Sequence, residues 1–553
     1  MGSSLELRRI QISNSIAEKN VADDFRIAVS CFETSLEILK GRIMKHTVLL
    51  YTLAIVLFDI GISKSFSQVM LSGAEADAKP DTEIVAEQYL LAGTATRGCG
   101  ESQVAVNPLN PNQIAVSTMC QLHQHEGKFE HNELEFERTP RATITEFVIT
   151  RDRGLTWSVM EDPMRSYFHR YRCLDPFAAF AADGTMILGC EAHFPTTLSP
   201  QEELNEANGA AQDFGGSSFV WSTDGGRTFS EPVQVISSYM PKDVLGPFVS
   251  FAPVGSQGDR PQIKVDLAAG KMYVNGNSTA ADPPHYQTVV RMSKDRGRDW
   301  GRVYAFDAAD WPGFGPSYDV ANGIMGIAYM ALSVPAALNA KCPCRVFGAS
   351  TDDAKTFDRH LIPAPPPEPG GDPRNGMVVA ANPTKPGMFS VLFPSAESVE
   401  AYLTQDSGKT WTKSPPIPGI LSTSIANLTA AYSPKGVQAL IWRVIYPLSP
   451  PRPPKPRSKP AYQRTEPHVF EAIPETYEIW SAISRDGGKT FTAPKKVSTE
   501  RSPGISRRRG MSEHGNDFIS VAIDDDFVHM TWFDNRSGFE GTWYGRVPIA
   551  DFK

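Results

Sequence analysis

The chain lacks an apolar run long enough for a confident membrane span, since VLLYTLAIVLF (Val48 to Phe58) stops well short of a bilayer-crossing helix. Beyond about residue 80 it also lacks the 3.6-residue apolar period of amphipathic helices, which argues against a helical domain. Positive charge is in deficit, with 54 Lys and Arg against 62 Asp and Glu and a net charge of −8, which argues against a nucleic-acid partner. The C-x2-C spacing of structural zinc sites is absent as well. Gly, Pro, Thr and aromatic residues are plentiful instead, and that composition points to a large all-β domain.

Six copies of one short motif run through the sequence: TRDRGLTW (Thr150 to Trp157), STDGGRTF (Ser222 to Phe229), SKDRGRDW (Ser293 to Trp300), STDDAKTF (Ser350 to Phe357), TQDSGKTW (Thr404 to Trp411) and SRDGGKTF (Ser484 to Phe491). Each fits [S/T]-x-D-x-[G/A]-x-[T/D]-[W/F], so the chain is built of repeats. The carboxylate at Asp152, Asp224, Asp295, Asp352, Asp406 and Asp486 can accept N–H bonds from the residues after it, and a Gly two places on can take positive φ. The copy with Ala354 in place of that Gly should hold a strained turn or one of another type. The closing Trp or Phe is an apolar anchor between neighbouring sheets. These residues are scaffold.

The motif is the Asp box, or BNR repeat, and the chain resembles the sialidase-like Asp-box β-propellers, most closely secreted bacterial members of unproven activity. Successive box Asp residues stand 54 to 80 positions apart, room for four strands per blade. A short apolar strand opened by an acidic or amide residue recurs upstream of each box, at Glu101, Asp175, Asp259, Asp319, Asn375 and Asn427, and once more after Asp517. The expected fold is therefore a propeller of four-stranded antiparallel blades, seven in number, with six, the sialidase count, as the alternative. Thr82 to Leu91 would supply the last blade's missing strand and close the ring.

Met44-Lys45-His46, the apolar run and the small residues of AEADA (Ala74 to Ala78) follow the order of a secretory signal. Residues 1–43 are then an extension from a start assigned too early, 44–78 are signal and linker, and 79–553 are one propeller domain. The protein is expected outside the cytoplasm, secreted or periplasmic, with a signal-anchored form as the alternative. Cys99 and Cys173 each lie two residues before an acidic strand start, and Cys120 and Cys190 each close a second strand. Hairpin neighbours can be bridged, so Cys99 is expected to pair with Cys120 and Cys173 with Cys190. Cys342 and Cys344 could form a third bridge or stay reduced.

The boxes should mark one face of the ring, leaving the long loops 121–142, 161–175, 191–216, 236–259, 446–476 and 496–516 on the other. There Glu101, Asp175, Asp259, Asp319 and Asp517 should converge as catalytic acid and base, as a Ca2+ site, or as plain strand caps. Arg97, Tyr167, His169, Arg170, Tyr171, Arg172, Arg260 and His514 are candidate contacts to an acidic sugar. A transition-metal site could form in the loop of His123, His125 and His131 with Glu126 and Glu130, near His193. Resemblance to the sialidases implies exo-hydrolysis of sialic or related acidic sugars, through an arginine triad, a Tyr nucleophile assisted by Glu, and an Asp acid/base. This chain has Arg97-Gly98-Cys99 where the family carries an Arg-Ile-Pro motif, and spacing assigns no Tyr–Glu pair. A non-catalytic propeller binding glycans or proteins is the alternative, and a polysaccharide lyase using His169 with Tyr167 or Tyr171 the third reading. No cofactor is required by the hydrolase reading, the expected partner is a glycan or glycoconjugate, no stable membrane span is expected after processing, and the expected state is a monomer.

Overall fold

The computed structural model describes residues 86–94, 97–122, 143–160, 162–164, 172–193, 215–237, 240–247, 249–251, 257–281, 284–306, 317–331, 338, 344–365, 377–395, 398–417, 424–447, 475–502 and 519–553. These form seven four-stranded antiparallel sheets, a seven-bladed β-propeller. The inner strands of blades one to seven are Arg97–Val106, Arg172–Phe180, Gln257–Asp266, Ser317–Ala321, Val378–Ala381, Ser424–Tyr432 and Ser520–Ile523. Each blade then meanders outward in chain order, and consecutive inner strands contact one another around the ring until the seventh meets the first.

Blade seven breaks the chain order. Its second and third strands are Phe527–Asp534 and Gly541–Pro548, and its outer strand is Glu87–Ala92 from the other end of the domain, with Glu87 opposite Arg546 and Leu90 opposite Trp543. The closing strand stands where the sequence placed it, and it removes the free edge that a six-box chain would leave.

Alternating apolar residues put both faces of each blade to use. Phe177, Ile187 and Phe219 of blade two pack with Met272, Val274 and Val289 of blade three, and Ile441, Tyr477 and Ile479 of blade six pack with Val521, Val528 and Trp532 of blade seven. The core is thus a ring of inter-sheet layers.

Every box links a third strand to an outer strand and uses the same bonds. In the first, the Thr150 hydroxyl donates to Asp152 Oδ1 at 2.6 Å and accepts the Gly154 N–H at 3.0 Å. Asp152 Oδ1 also accepts the Thr156 N–H at 2.9 Å. Hydrogen bonds from Thr150 and Thr156 hold the Asp152 carboxyl down at about 2. In all six copies the two residues after the Asp are left-handed, including Asp353 and Ala354 at φ 64° and 66°, so the Ala copy keeps the turn and carries its strain. The box aromatic reaches back to the preceding blade: Trp157 meets Tyr544 edge-on at 4.6 Å, Trp300 meets Phe219 at 5.7 Å and Trp411 meets Phe347 at 5.3 Å between ring centroids.

Candidate functional site

Strand directions alternate, so the box turns share the face where inner strands end, and the opposite face carries the inner-strand beginnings. Near that second face, four inner strands carry a bulge in which two residues oppose one. The pairs are Glu101–Ser102 opposite Thr118, Asp175–Pro176 opposite Cys190, Arg260–Pro261 opposite Gly276, and Asn427–Leu428 opposite Trp442. The first residue of each pair is left-handed, at φ 51°, 43°, 52° and 52°. A left-handed non-glycine costs roughly 1 kcal/mol or more, and Asp175 and Arg260 take it directly before a proline, where steric crowding favours extended backbone. Neighbouring groups hold the strain in place: Thr145 Oγ1 of blade one donates to the Cys173 carbonyl at 2.9 Å, and Ser117 Oγ to the Pro176 carbonyl at 3.0 Å.

These bulges bring Glu101, Asp175 and Arg260 together from three consecutive blades. The Glu101 side chain lies close enough to the Asp175 carboxyl to lower its pKa. The Arg260 N–H donates to Asp175 Oδ2 at 3.1 Å. Burial first, and the charge of Glu191 second, push the Asp175 carboxyl above the ordinary range, while Glu101 and Arg260 act the other way. Glu191, 3% exposed, was not foreseen as part of this group. Its signal was a lone charge in the apolar strand MILGCEAH, beside Cys190.

Two other acids have different partners. Asp259 stands one position before the blade-three bulge, opposite Asn277, so the residue matching Glu101 and Asp175 is Arg260. Asp319 lies in an inner strand with unbroken register and accepts the N–H of Ala381 in blade five at 2.8 Å and its own neighbour Val320 at 2.9 Å, as a cap does. Burial raises its carboxyl and Lys264 opposes the rise. Arg97 pairs with Glu146 of the third strand at 2.6 Å, and burial raises the Glu146 carboxyl against the pull of Arg97. Arg172, His193 and Asp259 are described by their backbone only. Asp517, Tyr167, His169, Arg170, Tyr171, His514, Asn375, His123, His125, His131, Glu126 and Glu130 lie outside the described residues.

Both expected disulfides are present, Cys99–Cys120 and Cys173–Cys190. Cys344 is also disulfide-bonded. Among the described residues the one cluster with metal-ligand spacing is Cys99, Cys120 and Glu146, and its sulfurs are already joined to each other.

Two further networks could be taken for reaction centres. Tyr446 donates to Glu478 Oε2 at 2.7 Å, a Tyr–Glu pair that spacing did not reveal, but the same carboxylate accepts Trp480 Nε1 and faces Arg501, whose guanidinium covers the Tyr446 ring at 3.9 Å. Burial and then Glu478 push the Tyr446 hydroxyl up, away from nucleophilic ionisation. His529 bridges Tyr544 at 2.7 Å and Asp524 at 3.1 Å, yet it is 0% exposed and on the box face. Both networks hold the scaffold.

No protein-family model matches the sequence, and no curated protein matches it. Among solved structures the chain is similar to a protein of unknown function from Dyadobacter fermentans, at 13% identity over 85% of this chain and 100% of the other, with a TM-score of 0.41. It is similar to the Hadza microbial sialidase Hz136 at 14% identity over 74% of each chain, TM-score 0.36. A third is an ulvan lyase, a polysaccharide lyase bound to a GlcA–Rha3S repeat, at 9% identity over 62% of this chain and 76% of the other, TM-score 0.37. Blade number and order rest on the strand pairing itself.

Proposed function

We propose that the chain is a secreted, carbohydrate-active propeller that hydrolyses glycosides of sialic or related acidic sugars on the face opposite the boxes. The observation that carries this reading is the convergence of Glu101 and Asp175 from two bulges, with the Arg260 N–H on Asp175. A general acid must keep its proton near neutral pH, and burial beside Glu191 raises Asp175 in that direction. Arg260 and Arg97 suit the carboxylate of an acidic sugar.

The closeness of the two side chains decides what the pair can do. Retaining glycosidases hold their two carboxyls about 5 Å apart and inverting ones further, so carboxyls this close together cannot flank one glycosidic bond. Glu101 and Asp175 therefore act together as one proton source, and Glu191 is the candidate for the second reacting group. The enzyme would work as a monomer and without a cofactor. No helix among the described residues is long and apolar enough to cross a membrane, and the disulfides suit an oxidising compartment.

One observation favours a glycan-binding propeller without catalysis: Asp175 also caps the neighbouring bulge by accepting the Arg260 N–H. The two readings separate when the full chain is assayed on fluorogenic sialosides and a panel of acidic glycans, with and without calcium, for released sugar and unsaturated product. Hydrolysis is expected, with Asp175→Asn lowering turnover about 100-fold or more while thermal unfolding stays close to wild type. Silence of folded protein across the panel would leave the binding reading, and unsaturated product the lyase.

A further inference from the structure

The two described disulfides stand in a fixed relation to the two bulges that carry carboxyls. Cys99 and Cys173 each precede the left-handed residue by two positions. Cys120 is the ladder partner of Cys99, just above the first bulge, and Cys190 is the residue opposite the second bulge itself. In both blades the bridge joins strands that the ladder already holds side by side, so hairpin pairing does not call for it.

The same molecule supplies a comparison. Blades three and six have the same bulge with a left-handed Arg260 and Asn427, and Gly258 and Ile425 stand where the first two blades have cysteine. In blade six, Arg443 from the second strand donates to Asn427 Oδ1 at 3.2 Å instead. The bulge forms without a disulfide. What sets blades one and two apart is that their left-handed bulge residues are both acids, Glu101 and Asp175, which interact with each other near the charge of Glu191. Carboxyls so placed repel whenever more than one is ionised, and a strained backbone relaxes unless its surroundings over-determine it.

We propose that Cys99–Cys120 and Cys173–Cys190 are positioning groups, which fix the two bulges against this repulsion and so hold the Glu101 and Asp175 carboxyls in contact. The inference rests on the functional reading of that pair only for its consequence in catalysis, since contact between the carboxyls is measurable without substrate. All four cysteines are buried, at 0 to 1% exposure, so paired substitutions are a surer probe than a reductant.

The test uses the full chain with Cys99→Ser/Cys120→Ser and, separately, Cys173→Ser/Cys190→Ser. The Asp175 carboxyl is followed by NMR with 13C-labelled aspartate and assigned through Asp175→Asn. In each pair variant its titration should move from the wild-type position, because the influence of Glu101, which lowers it, is lost with the contact, and the pH dependence of any turnover should follow it. Ile441→Val in the blade-six core serves as a matched loss of stability and should leave the titration where it was. Valine pairs, which keep the buried volume apolar, replace the serines if those do not fold. An unmoved Asp175 titration in folded pair variants would overturn the proposal, as would failure of every pair variant to fold, because the bridges would then be staples for the fold alone. If the titration moves and no glycan is cleaved, the positioning role stands while the hydrolase reading falls.

Discussion

Ala354 occupies a backbone position that glycine holds in the other five boxes, and it does so at φ 66° with its side chain buried. The Ser350 hydroxyl still accepts the Ala354 N–H at 3.0 Å, and Asp352 still accepts the Thr356 N–H at 2.9 Å, so the side-chain bonds of the motif enforce the turn on a residue that disfavours it. Left-handed backbone costs an L-residue about 1–2 kcal/mol, partly offset by the greater freedom that glycine has when unfolded. Ala354→Gly is therefore expected to stabilise the protein by about 1 kcal/mol, read as a higher urea midpoint at unchanged slope. The opposite substitution at Gly408 meets a second obstacle, because a Cβ there would lie 2.5 Å from the Phe347 ring. Residues at this scale were legible: the hydroxyl, the Asp and the Gly each announce one bond or one dihedral.

The element scale was legible in part. Seven inner strands, the box turns, the swapped closing strand and both hairpin disulfides follow from spacing, because each is a local pattern repeated. Bulges are not local in that sense. One extra residue shifts the ladder without disturbing the apolar pattern of the strand, so Asp259 looks equivalent to Asp175 in sequence while Arg260 takes its place in space. Glu191 and Glu146 were missed for a related reason, since a second or third strand shows its acids only against whatever lies across the blade. What spaces the blades is the box aromatic. Trp300, 9% exposed, lies edge-on against Phe219 of the blade before it, and its Nε1 donates to the Gly297 carbonyl at 3.0 Å. Trp300→Ala should cost about 3 kcal/mol. Combined with Phe219→Leu it should show a coupling of about 1 kcal/mol in a double-mutant cycle. Strict additivity would mean that the ring pair contributes area and no specific contact.

At the scale of the whole molecule the seam between blades seven and one has the hardest task, since it joins strands from opposite ends of the domain. Blade seven has no box, and the first box reaches across to replace one: Arg153 bonds Asp524 and Asp526, with N–O distances of 2.8 to 3.0 Å, and Tyr544 lies beneath Trp157. Asp524 then holds His529 Nε2, and His529 Nδ1 meets the Tyr544 hydroxyl. A carboxylate can only accept, so Nε2 carries a proton, and because burial favours the neutral imidazole, Nδ1 then accepts from Tyr544. Burial, with Arg153 and Arg546 nearby, lowers the His529 value despite Asp524. Burial opposes ionisation of Asp524, but its hydrogen bonds from His529 and from the Asp526 and Phe527 N–H groups outweigh this and hold it at about 2. Both shifts have one sign for folding. Below about pH 6.5 the unfolded chain takes up a proton on this histidine that the folded chain refuses, and below about pH 4 it does the same at Asp524, so stability present at neutral pH is lost as pH falls. His529→Gln, which keeps an N–H for Asp524, should flatten the slope of unfolding free energy between pH 4 and 6.5 and leave the slope below pH 4. The other histidines cancel in the difference between variant and wild type. Hydrogen exchange should place the loss at the seam, at the Val104 N–H bonded to Ser520 and the Cys99 N–H bonded to the Glu540 carbonyl. Equal slopes for the two proteins would mean that His529 titrates alike in the folded and unfolded chains, and that the ring is closed by its strand pairing and not by this buried relay.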